Sequence, residues 1–366
     1  MMHYCLADYL TVITPFLSGE LVSATALSRI RAIAQTLKPT WGALLECHLS
    51  PDTSQVNFSV DLLDTALELD EQIRVLPIWQ RIQQLCSTCA SPTVTDREVE
   101  SVWLEFDLNK EQPKIPIPSV FLSLQEGQLL HLSDNPAAFC CWLTEKSIEP
   151  LLGHTLPLKL QQNLQLCLKA LPLGAQVLHV GVILPYPNST IRLNISGIPP
   201  LELSNYLGQI DCFESVRELN AIALQLYTLV DRIVLNIDID VTGVTQVGLE
   251  CFVDRHLARS SQWQPLLNYL VASNLCTPEK CSALLNWSGY CHEKLHPVSW
   301  PRNLKAVSNF LGSRASSVLV RDLNHIELTL HPRNSWLAKG YLWFGADWSS
   351  SQKIGNSSSQ PKHTKH

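Results

Sequence analysis

Several short segments of this chain carry charged, polar or aromatic side chains at every second position, and those residues could do chemistry. In Val99–Leu108, Trp103, Glu105 and Asp107 share one face, opposite Val102, Leu104, Phe106 and Leu108. Arg192, Asn194 and Ser196 alternate with Ile191, Leu193 and Ile195, and Asn236, Asp238 and Asp240 with Leu235, Ile237 and Ile239. Glu46, Asp61, Phe121, His179, Glu250, Glu327, Lys339, Tyr341 and Trp343 fall on polar faces of the same kind. Carboxyl groups held close together push one another's pKa apart, which prepares one as acid and another as base. Glu105, Asp107, Asp238 and His179 are therefore the catalytic candidates. Aromatic faces at Trp103 and Trp343 suit a cationic ligand or intermediate, Arg192, Lys339 and Tyr341 suit an anionic one, and Glu46 and Glu250 are further acids that could bind substrate. Each has a plainer reading, as a carboxylate satisfied by a neighbouring strand or an aromatic packed at a sheet end.

These side chains are useful only if strands bring them together, and the chain alternates helix-like and strand-like stretches throughout. Leu6–Phe16 and Leu21–Leu37 have helical spacing, as in Leu27, Ile30, Ile33 and Leu37. They precede a hairpin of Thr40–Leu49 and Gln55–Leu63 about a turn-rich loop. Ala66–Leu85 is helical before a second hairpin, Val99–Leu108 with Pro118–Leu124. Asn135–Leu152, capped by Asp134, and Leu158–Leu171 precede a third, Gln176–Gly197, which turns at Pro185, Pro187 and Asn188. Pro200–Leu207 and Ser215–Val230 precede a fourth, Arg232–Val241 with Gln246–Val253. Three short helices, Trp263–Leu270, Pro278–Leu285 and Leu304–Leu311, lead to the last, His325–His331 with Ala338–Gly345. Each strand is polar on one face and aliphatic on the other. Closing the sheet removes its edges, and a ring of helices covers the aliphatic outside. The expected fold is α+β, a closed barrel of about ten antiparallel strands ringed by helices in repeated ααββ units. It occupies residues 1–347, with 348–366 as a disordered polar tail. A TIM barrel is disfavoured because its parallel strands are apolar on both faces.

Composition excludes more than it assigns. The 366 residues are 46% hydrophobic and 16% charged with a net charge of -6, an ordinary globular balance without the basic stripe that nucleic acid requires. No apolar run is long enough to span a membrane and the N-terminus lacks a signal peptide's basic start, so a cytoplasmic location is expected. The 12 cysteines include a CxxC at Cys86 and Cys89 with no second pair at zinc-like spacing, and they read as reduced buried thiols. Triad-hydrolase, zincin, P-loop and dinucleotide motifs are absent.

This order of helices and hairpins, with polar faces turned inward, resembles the ABBA prenyltransferase barrel, a family of aromatic, indole and cyanobactin-type peptide prenyltransferases. The resemblance is architectural and covers about Leu6 to Gly345. It implies transfer of an allylic group from a prenyl diphosphate to an aromatic or peptide acceptor in secondary metabolism, without the DDxxD motif of trans-prenyl synthases. Arg192, Lys339 and Tyr341 would then lie near the diphosphate and Glu105 near the acceptor. The inward acids outnumber the inward cations, which opposes a free diphosphate. Either a magnesium ion on Asp238 and Asp240 bridges to it, or no cofactor is bound and the barrel does acid/base cyclisation or isomerisation of an aromatic intermediate. A non-catalytic binder of a peptide or small molecule is the remaining alternative.

Overall fold

The computed structural model describes residues 5–51, 55–62, 74–89, 99–108, 116–125, 135–185, 189–253, 260–296, 299–312, 315–331 and 335–350. Ten strands form a closed antiparallel ring: β1 (Gly42–His48), β2 (Val56–Asp61), β3 (Val99–Asp107), β4 (Ser119–Leu124), β5 (Gln176–Ile183), β6 (Thr190–Ser196), β7 (Arg232–Asp240), β8 (Gly243–Phe252), β10 (Ala315–His331) and β11 (Ser335–Ser350). β11 pairs with β10 on one side and with β1 on the other, which closes the ring. A short strand, β9 (Gly289–His292), pairs with the first half of β10 outside the ring. Helices precede each hairpin, among them Ala24–Ala34, Pro77–Cys89, Leu158–Lys169, Phe213–Leu226 and Pro278–Leu285. The fold is the α+β barrel expected from the repeated pattern.

Period-two alternation settles which side is which. Ala43, Leu45 and Cys47 of β1, Phe58 and Val60 of β2, and Leu104 and Phe106 of β3 all point outward and are buried in one continuous apolar layer with Leu10, Ile30, Ile33, Trp79 and Ile82 of the helices. Each fully buried aliphatic side chain there contributes roughly 1.5–3 kcal/mol. Side-chain caps fix the starts of several helices: Ser23 accepts from the Ala26 amide, Asn135 from Ala138 and Thr277 from Lys280.

Some boundaries differ from the sequence reading. The cap of the helix beginning at Pro136 is Asn135, and Asp134 lies outside the described residues. A π-helical segment at Thr144–Ile148 interrupts what reads as a single helix from Asn135 to Leu152. The fourth hairpin turns at Val241 and Thr242, with Gly243 at φ 126, because Gly243 and Val244 pair with β7 instead of forming the loop and Thr245 falls at a bulge. β10 begins well before the expected hairpin and β11 runs past it at both ends, so Trp348 pairs with Ser317 and Ser350 with Ala315. The polar composition of this stretch conceals a pairing that needs only backbone groups. Residues 63–73, 90–98, 186–188 and 351–366, on which parts of the expected helix, connector, turn and tail fall, lie outside the described residues.

At the closing seam Gly345 faces the Trp41 carbonyl and the Trp343 ring, and a methyl added there would run into both. Gly345→Ala should therefore destabilise the fold by about 1–3 kcal/mol, read as a lower denaturant midpoint at unchanged slope.

Candidate functional site

The polar faces meet inside the barrel, first across the seam. Glu46 of β1 stands opposite Tyr341 of β11, and Lys339 of β11 opposite Glu327 of β10. The Tyr341 hydroxyl lies 2.9 Å from Glu46 Oε2 and 2.7 Å from Glu327 Oε2. One phenol proton cannot serve two carboxylates at once, and Lys339 Nζ supplies the second link, at 3.1 Å from Glu46 and 3.3 Å from Glu327. Both carboxylates are nearly inaccessible, at 1% and 2% exposure. Burial alone would raise the Glu327 pKa, but Lys339, Arg192 and the Tyr341 hydroxyl override it and hold the carboxyl well below the usual range. Although burial opposes its charge, Glu327 and Glu46 hold Lys339 protonated above its ordinary range.

A second group fills the β6–β8 wall. Arg192 grips Asp238 on the neighbouring strand through two parallel bonds, Nε to Oδ1 at 2.6 Å and Nη2 to Oδ2 at 2.9 Å. The Asn194 side-chain amide donates to Glu250 at 2.6 Å, and that of Asn236 donates to Glu327 at 2.7 Å and Glu250 at 3.3 Å. Burial, then Glu327, pushes the Glu250 carboxyl up to about 8. Gly248 leaves room for this group, since a Cβ there would crowd Glu327, the Leu328 carbonyl and Asn236.

The wall formed by β2 to β5 differs. Glu105, opposite Ser59 and Ser119, keeps accessible surface although protein crowds it on all sides. Its carboxyl makes no hydrogen bond or ion pair among the described residues. Burial, then Glu46, raises it to about 8, with Arg192 and Lys339 opposing. Trp103 and Phe121 are paired neighbours beside it, and both are half-buried. Phe121 lies over Gly181 and Trp343 over Gly42 and Gly345, positions where a side chain would collide with the ring. His179 shares a hydrogen bond with Ser123 at 3.0 Å; burial, then Arg232, lowers it to about 4, so it is neutral near pH 7. Asp107 stands opposite Asn57 at one end of this wall.

Every candidate from the sequence thus lies on the inner face, but they divide into two groups. Glu46, Glu250, Lys339 and Tyr341 belong to the closed network with Glu327, whereas Glu105, Trp103, Trp343, Asp107 and His179 line the more accessible part. Arg192 and Lys339 stand four strands apart in the ring, and each is already ion-paired, Arg192 with Asp238 and Lys339 with Glu46 and Glu327, although both also act electrostatically on Glu327 and Glu105. Nor do the two aspartates expected to hold magnesium fit that task. Asp238 is paired with Arg192, and Asp240 Oδ1 caps the β7–β8 turn at 2.6 Å from both the Thr242 amide and hydroxyl. Among the described residues no three His, Cys, Asp or Glu side chains form a metal-holding group. The sequence reading passed over the inward Asn57, Asn194 and Asn236, which tie the carboxylates together. Their alternation with aliphatics was visible, but their partners lie across strand pairs or further around the ring. Cys47, Cys140, Cys167 and Cys251 are buried thiols outside any disulfide, and no described helix is long and apolar enough to cross a membrane.

Comparison with known proteins adds little. No family model matches the chain, and no curated protein does. Among solved structures, AnaPT from Neosartorya fischeri aligns over 92% of this chain and 90% of its own, at 11% identity and a TM-score of 0.48. That likeness is too slight to carry any statement about activity.

Two measurements check the electrostatics. Lys339→Met removes the cation that Glu46 and Glu327 share and should destabilise the protein by about 3–5 kcal/mol near pH 7. The wild-type contribution of Glu327, whose folded pKa is depressed, is present above its unfolded value of 4.5 and fades as pH falls below it. The gap between variant and wild type should therefore narrow toward pH 4 in urea titrations. Glu250 behaves oppositely: its folded pKa of about 8 exceeds the unfolded 4.5, so it lowers stability progressively as pH rises between those values. Glu250→Gln should flatten that slope.

Proposed function

We propose that this chain is an enzyme of prenyltransferase-barrel type that works on an electron-rich aromatic or peptide acceptor inside the barrel, with Glu105 handling the acceptor's proton. The observation that carries this reading is the Glu105 carboxyl, without a partner among the described residues, accessible within the barrel, flanked by Trp103 and Phe121, and raised to about 8. A carboxyl tuned close to the working pH exchanges protons most effectively. In allylic transfer the bond from the donor carbon to the diphosphate oxygen breaks, and a bond from that carbon to the acceptor forms. Diphosphate departs with the electron pair, and the acceptor's proton passes to the Glu105 carboxylate. Aromatic faces at Trp103, Phe121 and Trp343 would shield the allylic cation. Arg192, Lys339 and Tyr341 are the groups available to the diphosphate.

A second reading is favoured by the ion pairs that engage both of those cations. A donor diphosphate would have to displace Asp238 from Arg192, or Glu46 and Glu327 from Lys339. Without a donor, protonated Glu105 would act as the acid in cyclisation or isomerisation of an aromatic intermediate.

The two readings separate by pH and by product. Incubation with dimethylallyl diphosphate and a panel of indole, phenol and peptide acceptors should yield a prenylated product at a rate that rises through pH 8 as Glu105 ionises. Activity that needs no donor and falls above pH 8 would establish the second reading instead. In either case Glu105→Gln should lower kcat by about 10²–10⁴. Unchanged kcat in that variant, with any active substrate, would remove Glu105 from the reaction.

A further inference from the structure

The inside of the barrel has a surplus of hydrogen-bond acceptors. Besides Asp61, Asp107 and Asp240 at strand ends, five inward carboxyl groups among the described residues, Glu46, Glu105, Asp238, Glu250 and Glu327, face two ion-pairing cations, Arg192 and Lys339. Four of the five are engaged, Glu46 and Glu327 by Tyr341 and Lys339, Asp238 by Arg192, and Glu250 by Asn194 and Asn236. Glu105 alone of the five is without a partner among the described residues. The amides point the same way. Asn57, Asn194 and Asn236 turn their N–H groups to the carboxylates, and their side-chain oxygens are left without a hydrogen bond. Asn194 and Asn236 are more than nine-tenths buried. By register Asn57, Asn194 and Asn236 all share the inner face with Glu105. What the interior lacks is donors, and a ligand must bring them.

We infer that the acceptor taken by this barrel carries an N–H-rich cation, an ammonium or a guanidinium on an aromatic or peptide frame, and that this cation docks on the Glu105 carboxyl beside the Trp103 ring. The inference rests on the barrel interior being the working site; a Glu105 carboxylate paired with the cation can still serve as the base of allylic transfer, but not as the acid of the second reading. A carboxylate–cation pair screened from bulk water is stronger than one at the surface, and the ring adds a cation–π contact. The charged groups around Glu105 are Glu46 from β1 and Glu327 from β10, which oppose its ionisation, and Arg192 from β6 and Lys339 from β11, which favour it. A bound cation joins the second pair. It also moves the acid-rich interior toward neutrality, where an anionic ligand alone would add to the imbalance.

Cation binding should therefore expel the Glu105 proton. With burial and Glu46 raising the carboxyl to about 8, a proton should leave as the ligand binds at pH 7. Calorimetry on the full chain, in buffers of different ionisation enthalpy, would compare tryptamine and its guanidino analogue with the neutral isostere tryptophol. The expected result is binding of either cation at least tenfold tighter than tryptophol, with close to one proton released. Glu105→Gln, whose fold is checked by thermal unfolding, should lose both the preference and the release. Tryptophol binding as tightly as tryptamine, a preference that survives in Glu105→Gln, the absence of proton release, or binding of none of the three ligands would each overturn the inference. Product formed from neutral acceptors with no amine preference would do so while leaving the proposed reaction standing. Selective amine binding without any turnover would do the reverse.

Discussion

An interior lined with carboxylates must be neutralised from within, and the structure meets that constraint where the barrel closes. Lys339 and Tyr341 on β11 reach Glu46 on β1 and Glu327 on β10, so one ion-pair cluster spans the three strands whose pairing turns a sheet into a ring. Buried charges that lose a partner are strongly destabilising, whereas the same groups with partners fix a register. A slip of one residue at this seam would turn Lys339 and Tyr341 out into the apolar layer and bring Gly340 and Leu342 in. The seam's chemistry and its geometry therefore specify each other.

The neutralised cluster also divides the interior. Around β6 to β11 and β1, amides and charges hold one another and little surface remains open. Around β2 to β5, the large rings of Trp103 and Phe121 and the Glu105 carboxyl keep accessible surface. Glycines make this possible. Gly181, Gly42 and Gly345 give up their own side chains so that Phe121 and Trp343 can lie flat along the inner wall. The flat aromatic wall and the lone carboxyl meet on β3, which alternates Trp103, Glu105 and Asp107 on its inner side.

Much of this architecture was legible from residue order. Strict alternation, as in Arg192, Asn194 and Ser196 against Ile191, Leu193 and Ile195, identifies both a strand and its greasy side, and helical spacing before each hairpin supplies the cover for that side. Less regular stretches were not legible. β9 has only Gly289–His292 to show, and the outer halves of β10 and β11 are rich in Ser, Asp and Trp without clear alternation. A bulge between Leu323 and His325 shifts the pattern there, so a simple period-two reading stops at His325.

Residue order alone determined that these strands have a polar side, which side chains lie on it, and that acids outnumber cations there, because those properties follow from local periodicity and composition. Only the tertiary structure decided which acid meets which cation. Arg192 and Asp238 are 46 positions apart, and Tyr341 and Glu46 are 295 apart. Such pairings depend on strand register and ring closure, which sum over every turn in the chain and leave no local signature. The engagement of Arg192 and Lys339, and the lack of a hydrogen-bond partner for Glu105 among the described residues, are properties of the closed ring.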